Sequence, residues 1–303
     1  MDAAPKQKKE NRGLWTVVIV LAFMFFILLI FSTSLYVGLV STSNDAPKVG
    51  VVEISGPIES SDKIVRNLMQ FSDREDIQGV LIRLESPGGS VGASQEIYEA
   101  VKALNKPAII SMGNVAASGA YYIACAGPRI YANSSTLTGS IGVISQIMNV
   151  TEILDFLKLK VATIKTGPYK DSGSPLRPFT PDDEAYFSQL GLDIYAQFVD
   201  AVAEARDIPR EEVLKLADGR VFTGAQAKKH KLVDELGGFY SAIQDLKKRA
   251  GIDGEVQLVY PSSTESVILE QLLRQGAAQI REEINSIQTP KHAFQYLYSG
   301  PKI

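Results

Sequence analysis

The stretch GVLIRLESPGGSVGASQEIYEAVKALNKPAIISMG, Gly79 to Gly113, holds two aliphatic runs on either side of a glycine turn and a segment of helical spacing. GVLIRLES (79–86) and PAIISMG (107–113) have the length and β-branched content of strands, whereas VGASQEIYEAVKAL (91–104) repeats its apolar positions every three or four residues. Two strands joined by such a helix run parallel, because a parallel return needs a crossover of that length. Working outward, KVGVVEISG opens the alternation at residue 48. Downstream the pattern predicts a short helix over 117–126, strands at RIYAN (129–133) and GVISQIMNV (142–150), a helix at TEILDFLKL (151–159) and a strand at KVATIKTG (160–167). The chain then turns helical over 181–206, 209–217, 223–230 and 238–250, before a strand at EVQLVY (255–260) and an amphipathic tail helix over about 265–287. Alternation of this kind is the signature of an α/β fold built on a largely parallel sheet.

A chain of 303 residues can bury a sizeable core. Its net charge of -3, with no Lys/Arg cluster after the first dozen residues, argues against a nucleic-acid surface. Cys125 is the only cysteine, so it makes no internal disulfide and lacks metal-site spacing; it reads as a small buried apolar residue. Neither a dinucleotide fingerprint nor a P-loop is present, and no metal or cofactor is expected.

Near the N-terminus, LWTVVIVLAFMFFILLIF (14–31) is free of charge and apolar all round. Eighteen helical residues rise about 27 Å, close to the hydrocarbon thickness of a bilayer. The run is too long for a cleaved signal and lacks a small-x-small site at its end. Lys6, Lys8, Lys9 and Arg12 precede it, which keeps the N-terminus cytoplasmic and places the rest outside. The expected organisation is a cytoplasmic N-terminus (1–13), a membrane anchor (14–40), a linker (41–47), a folded domain (48–250) and a C-terminal tail (251–303). The expected location is the inner, cytoplasmic membrane, with the folded domain on its outer side.

Two short motifs carry the chemistry. In ESPGGSVGAS (85–94) the glycines free backbone N–H groups at a strand-to-helix turn, which suits a phosphate or a developing oxyanion; a plain turn explains it equally. In VAASGAYYIACA (115–126), Ser118 opens a helix among small residues. It can act as a nucleophile with the Gly119 N–H aimed at the attacked carbonyl, or serve as an N-cap. A serine needs a base, and the two histidines, His230 and His292, sit in charged helical segments suited to solvent. A lysine can replace histidine if desolvation keeps it neutral. Lys158, Lys160, Lys165 and Lys170 are candidates, each also readable as a surface charge, and Lys170 stands apart in the Gly/Pro-rich loop TGPYKDSGSPLRPFTP. Asp171, next to it, would raise the amine pKa, so its side chain is expected to point away.

Taken together, SPGGSV, AASGAYYIA, TGSIGV (138–143) and GPYKDSGSP (167–175) closely resemble the short form of the bacterial signal peptide peptidase A family over roughly residues 48–250. That resemblance implies the β-β-α spiral fold of the Clp protease and crotonase superfamily and a membrane-bound serine protease with a Ser-Lys dyad. It assigns Ser118 as nucleophile, Lys170 as general base and Ser140 as the hydroxyl that orients the lysine. The oxyanion donors would be Gly119 and Gly89, with Gly88 as the alternative. It further implies remnant signal peptides and other apolar peptides as substrates, and self-association into a ring, commonly of eight subunits. The rival readings are a crotonase-like acyl-thioester enzyme and a silent scaffold that binds exported peptides.

Overall fold

The computed structural model describes residues 20–32, 46–261 and 295–297. The chain divides into two units at Ala46/Pro47. In the first, residues 20–32 form a helix, α1, with every side chain exposed. Thirteen residues rise about 20 Å. Among the described residues no helix is long and apolar enough to cross a membrane, and the remainder of the 14–40 run lies outside them.

The second unit is built on a mostly parallel sheet. Strands β1 (Lys48–Ser55), β2 (Ile77–Ser86) and β4 (Ala108–Ala117) pair in parallel in the order β1-β2-β4, and β9 (Gln257–Val259) adds to the outer edge of β1. The far edge of β4 forks. Its middle pairs with β5 (Ile130–Ala132) and its end with β6 (Leu137–Gly139). β7 (Val221–Thr223) closes that edge antiparallel to β6, and β8 (Glu235–Leu236) pairs with β5.

Side-chain alternation decides the layers. Val49 and Val51 of β1, Leu81 of β2 and Ile109 of β4 face one side, where Ala242, Ile243 and Leu246 of α9 (Phe239–Arg249) cover them. Val52, Ile54, Val80, Ile82, Leu84, Ile110 and Met112 face the other side. There they meet α2 (Asp62–Asp73), α3 (Val91–Lys102), α4 (Gly119–Ala124) and the 26-residue α6 (Pro181–Arg206). Cover on both faces is usual for a parallel sheet, because the crossover helices pack against its faces and its strands carry apolar side chains on both sides. Cys125 lies in this core, where burial pushes its thiol up to about 12.

Each strand and helix predicted through residue 133 is present, although α2 and β3 (Gly88–Ser90) stand between them without having been predicted, and α6 spans the expected 181–206. Two expectations fail. Residues 142–150 and 160–167 form no strand; only α5 (Thr151–Phe156) is regular between them. The reason is geometric: β7 already occupies the edge of β6, so the apolar runs find no partner and leave Met148 and Ile164 exposed. The predicted tail helix over 265–287 lies outside the described residues. Beyond it, β10 (Gln295–Leu297) pairs antiparallel with β3 (Gly88–Ser90).

Candidate active site

Ser118 is the single residue between the end of β4 and the start of α4. Its backbone sits at φ 57 and ψ -121, a region that L side chains rarely adopt and that costs about 1–3 kcal/mol. The surroundings impose it. The Ser118 N–H donates to Gly139 O at 2.8 Å, and the Ser118 carbonyl accepts from Tyr122 N–H at 2.9 Å. Ala117 is in register with Gly139, so Ser140 follows that pair on one strand as Ser118 does on the other. Ser140 also has a positive φ, 50°, and its N–H donates to Arg220 O at 2.9 Å. Both serines are buried. The remaining non-glycine residues with positive φ among the described ones, Lys158, Asp207 and Lys231, are exposed. Among the described residues, the buried non-glycine positions with positive φ are thus these two serines.

The approach to Ser118 is held by side chains that the sequence pattern did not single out. Between Leu84↔Met112 and Ser86↔Ala116 the β2–β4 register slips, and β4 gains two residues. The Glu85 carboxylate fills the slip, accepting from the N–H groups of Asn114 (2.8 Å) and Val115 (3.2 Å). Gly113 makes room for this carboxylate: a Cβ there would lie 1.8 Å from Glu85 Oε2 and would push the carboxylate out of the slip. Thr136 Oγ1 donates to Gly113 O at 2.6 Å and Thr138 Oγ1 to Ala116 O at 2.7 Å. These clamps depend on pairings between strands, which local sequence patterns do not display.

The glycine turn lies alongside. Gly88, at φ 99, donates its N–H to Ser86 Oγ at 3.1 Å. Ile58 bonds to the residues on either side of Gly89: its N–H donates to Gly88 O (2.9 Å) and its carbonyl accepts from Ser90 N–H (2.7 Å). In such a parallel bridge the central residue turns its own N–H and C=O to the opposite edge. That edge is where β10 lies, with Tyr296 opposite Gly89. The backbone crowding also demands glycine, since a Cβ at 89 would sit 2.1 Å from Ile58 O.

Lys170 is exposed, and no hydrogen bond or ion pair joins its amine to Ser118, Ser140 or any other described residue. The loop around it is nevertheless ordered. The Tyr169 ring stacks on Tyr186 of α6 at 5.0 Å. Asp171 pairs with Lys165 at 2.6 Å and with Arg177 Nε at 3.2 Å, as expected of a carboxylate turned from the adjacent lysine. The Lys165 ammonium, then the Arg177 guanidinium, holds the Asp171 carboxyl below its usual range. Arg177 also grips Asp183 with two bonds, 2.5 and 2.8 Å, and Asp183 completes a capping box with Thr180 at the start of α6. Of the four candidate lysines, Lys165 is therefore engaged by Asp171.

A groove of about 980 Å³ runs from Ser140 along 142–147 to Phe187, Leu192 and Tyr195 of α6. Its lining is largely apolar. His230 is exposed at the end of α8 (Gly224–Lys229), its ring 5.4 Å from Phe222, and His292 lies outside the described residues. Among the described residues, no group of three or more His, Cys, Asp or Glu side chains is placed to hold a metal ion.

Comparison with known proteins agrees with this arrangement. The profile of the Clp protease family matches residues 42–138, and that of peptidase family S49 matches residues 100–253. A Synechocystis sp. chain that bears a protease name is 41% identical over 209 residues, covering 68% of this chain and 76% of that one. The chloroplastic serine protease SPPA of Arabidopsis thaliana is 32% identical over 67% of this chain and 31% of its own, and Protease 4 of Salmonella typhi is 38% identical over 55% and 27%. The chain thus spans less than a third of the length of these last two relatives. With a mostly parallel α/β sheet, a strained serine at a strand-to-helix turn and a profile match over half its length, the chain belongs to peptidase family S49 as an SppA-like serine-type peptidase.

Proposed function

We propose that the chain is a membrane-anchored endopeptidase that degrades apolar peptides, remnant signal peptides among them, with Ser118 and Lys170 as its dyad on a β-β-α spiral fold. One observation carries this: the strained, buried Ser118 stands beside Ser140, next to a glycine edge on which an extended segment already lies antiparallel. A substrate strand on that edge brings its carbonyl groups to backbone N–H donors.

The chemistry follows. Ser118 Oγ bonds to the peptide carbonyl carbon while its proton passes to the Lys170 amine. The carbonyl oxygen, now an anion, is held by the N–H groups of Gly119 and Gly89. The engagement of Gly88 N–H by Ser86 favours Gly89 as second donor. One such donor is worth about 3 kcal/mol of barrier. The C–N bond then breaks as the lysine ammonium returns its proton to the leaving amine, and water, deprotonated by the same amine, releases the acyl group from Ser118.

A lysine takes a proton near neutral pH only when uncharged, which requires its removal from water. Cover comes from association of copies into a ring. Among the described residues, Ile144, Met148, Ile153, Phe156, Val161 and Ile164, which frame the loop, expose apolar side chains, as subunit faces do. In the ring Ser140 orients the lysine amine. The apolar groove beside Ser140 suits apolar substrate side chains. The wholly exposed apolar helix α1 supports the anchor, with the basic residues before it cytoplasmic and the peptidase domain outside.

The test is cleavage of a fluorogenic apolar peptide by the full chain in detergent, compared with Ser118→Ala and Lys170→Ala. Both variants should lose at least about a thousandfold in kcat, while Ser118→Ala still binds the peptide. Retained turnover in Lys170→Ala would reassign the base. Unchanged peptide binding with no turnover in the parent chain would favour a scaffold.

A further inference from the structure

Lys170 is followed directly by a carboxylate. An acid within about 4–6 Å of an amine stabilises its charged form, which is the wrong form for a general base. The sequence therefore sets a conflict inside the loop, and the fold answers it. Asp171 is turned onto Lys165, 2.6 Å away, and lies 3.2 Å from Arg177 Nε. Its side chain is only 12% exposed, so it is committed to these two cations rather than shared with solvent.

Arg177 is itself fixed. Both its Nη atoms donate to Asp183 of α6, and Nη1 also donates to Pro178 O at 3.0 Å. Asp183, nearly fully buried, accepts from the Thr180 N–H (3.0 Å) and hydroxyl (2.8 Å). The start of α6 thus anchors the arginine, and the arginine anchors the acid. On the other flank of Lys170, Tyr169 is held by stacking on Tyr186. Every charged group that meets Asp171 among the described residues is a cation, Lys165 or Arg177, and the only acid facing Arg177 from α6 is Asp183.

We infer that Arg177, with Lys165, is a positioning residue for the dyad: it sequesters the Asp171 carboxylate and so keeps the neighbouring Lys170 amine free of a counter-charge. This rests on Lys170 being the base. Arg177 touches neither substrate nor Ser118. When it is removed, Asp171 is held by Lys165 alone, and its carboxylate gains freedom to approach the neighbouring Lys170 amine, a contact that favours the charged form of an amine.

The experiment is the pH dependence of kcat/KM for an apolar fluorogenic peptide, using the full chain. In Arg177→Gln the acidic limb should move upward by roughly one pH unit, a tenfold loss of kcat/KM on that limb, with activity recovering at high pH. The double variant Arg177→Gln/Asp171→Asn should return the limb to its original position, since the stray carboxylate is gone. Lys165 lies nearer the surface, so Lys165→Gln keeps the fold, and it should move the limb the same way by at least as much, since Lys165 is the nearer of the two cations to Asp171. A merely structural role for Arg177 would lower kcat/KM at all pH values and would not be rescued by Asp171→Asn. An unmoved limb in both single variants, with Lys170→Ala inactive, overturns the inference while leaving the dyad intact. An active Lys170→Ala overturns the dyad instead.

Discussion

Deleting residues 295–303 should raise the affinity of the peptidase for peptides. In the structure Gln295–Leu297 lie antiparallel on Gly88–Ser90, with Tyr296 opposite Gly89, on the edge to which the Gly89 N–H and C=O are directed. A substrate strand that uses this edge must displace them. A three-residue register centred on Gly89 exchanges about two backbone hydrogen bonds, each worth roughly 0.5–1.5 kcal/mol net. The tail thereby stabilises its own docked state by about 1–3 kcal/mol, a factor of roughly 5–150 in occupancy. KM for an apolar peptide should fall by at least about fivefold in the truncated chain, with kcat unchanged, because the competitor is removed and the chemical machinery is not. The full-length variant Tyr296→Pro, which lacks the N–H needed for pairing, should reproduce the fall in KM. Steady-state kinetics on the three chains decides the matter. Equal KM in all of them would show that peptides bind elsewhere than on the Gly88–Ser90 edge, and the placement of the oxyanion donor at Gly89 would fall with it.

Gly89→Ala should abolish cleavage while leaving the core folded, because its Cβ would lie 2.1 Å from Ile58 O and forces the edge strand apart; circular dichroism close to the parent with kcat/KM down at least a hundredfold is the expected result, and near-normal turnover would contradict the role of that edge. Stability should fall on acidification. Arg177 holds Asp183 far below the usual carboxylate range and Arg220 brings Asp218 to about 2, so both carboxylates are lowered relative to the unfolded chain, where Asp titrates near ~3.9. Their contribution is complete above that value and is lost as pH falls from about 4, down to about 2 for Asp218 and further still for Asp183. Urea midpoints should decline through that window, and Asp183→Asn should flatten the decline; a midpoint independent of pH in the parent chain would refute the assignment.

Much of the architecture could be read from local pattern. The βαβ alternation through residue 133 needs only hydrophobic period and turn chemistry, both written in adjacent residues, and α6 announces itself with Thr180, Pro181 and acids in its first turn. The strands expected at 142–150 and 160–167 fail because an apolar run becomes a strand only where an edge is open to it. Here β7, arriving from eighty residues downstream, has closed the edge of β6. The short strands β3, β6, β7, β8 and β10 escape sequence inspection for the complementary reason: two or three residues carry no period of their own, and pairing alone makes them strands.

The sequence by itself determined which groups can do the chemistry, a serine among small residues, a glycine turn and a lysine in a Gly/Pro-rich loop, since reactivity belongs to residue type. Tertiary structure alone decided where they act. Register between β4 and β6 sets Ser118 beside Ser140, Glu85 and two threonines fix the strand that ends at Ser118, and Arg177, in the loop before α6, pairs with both Asp171 and Asp183. The physical reason is that strain, burial and charge pairing are properties of chain segments brought together from far apart, and no window along the chain contains them.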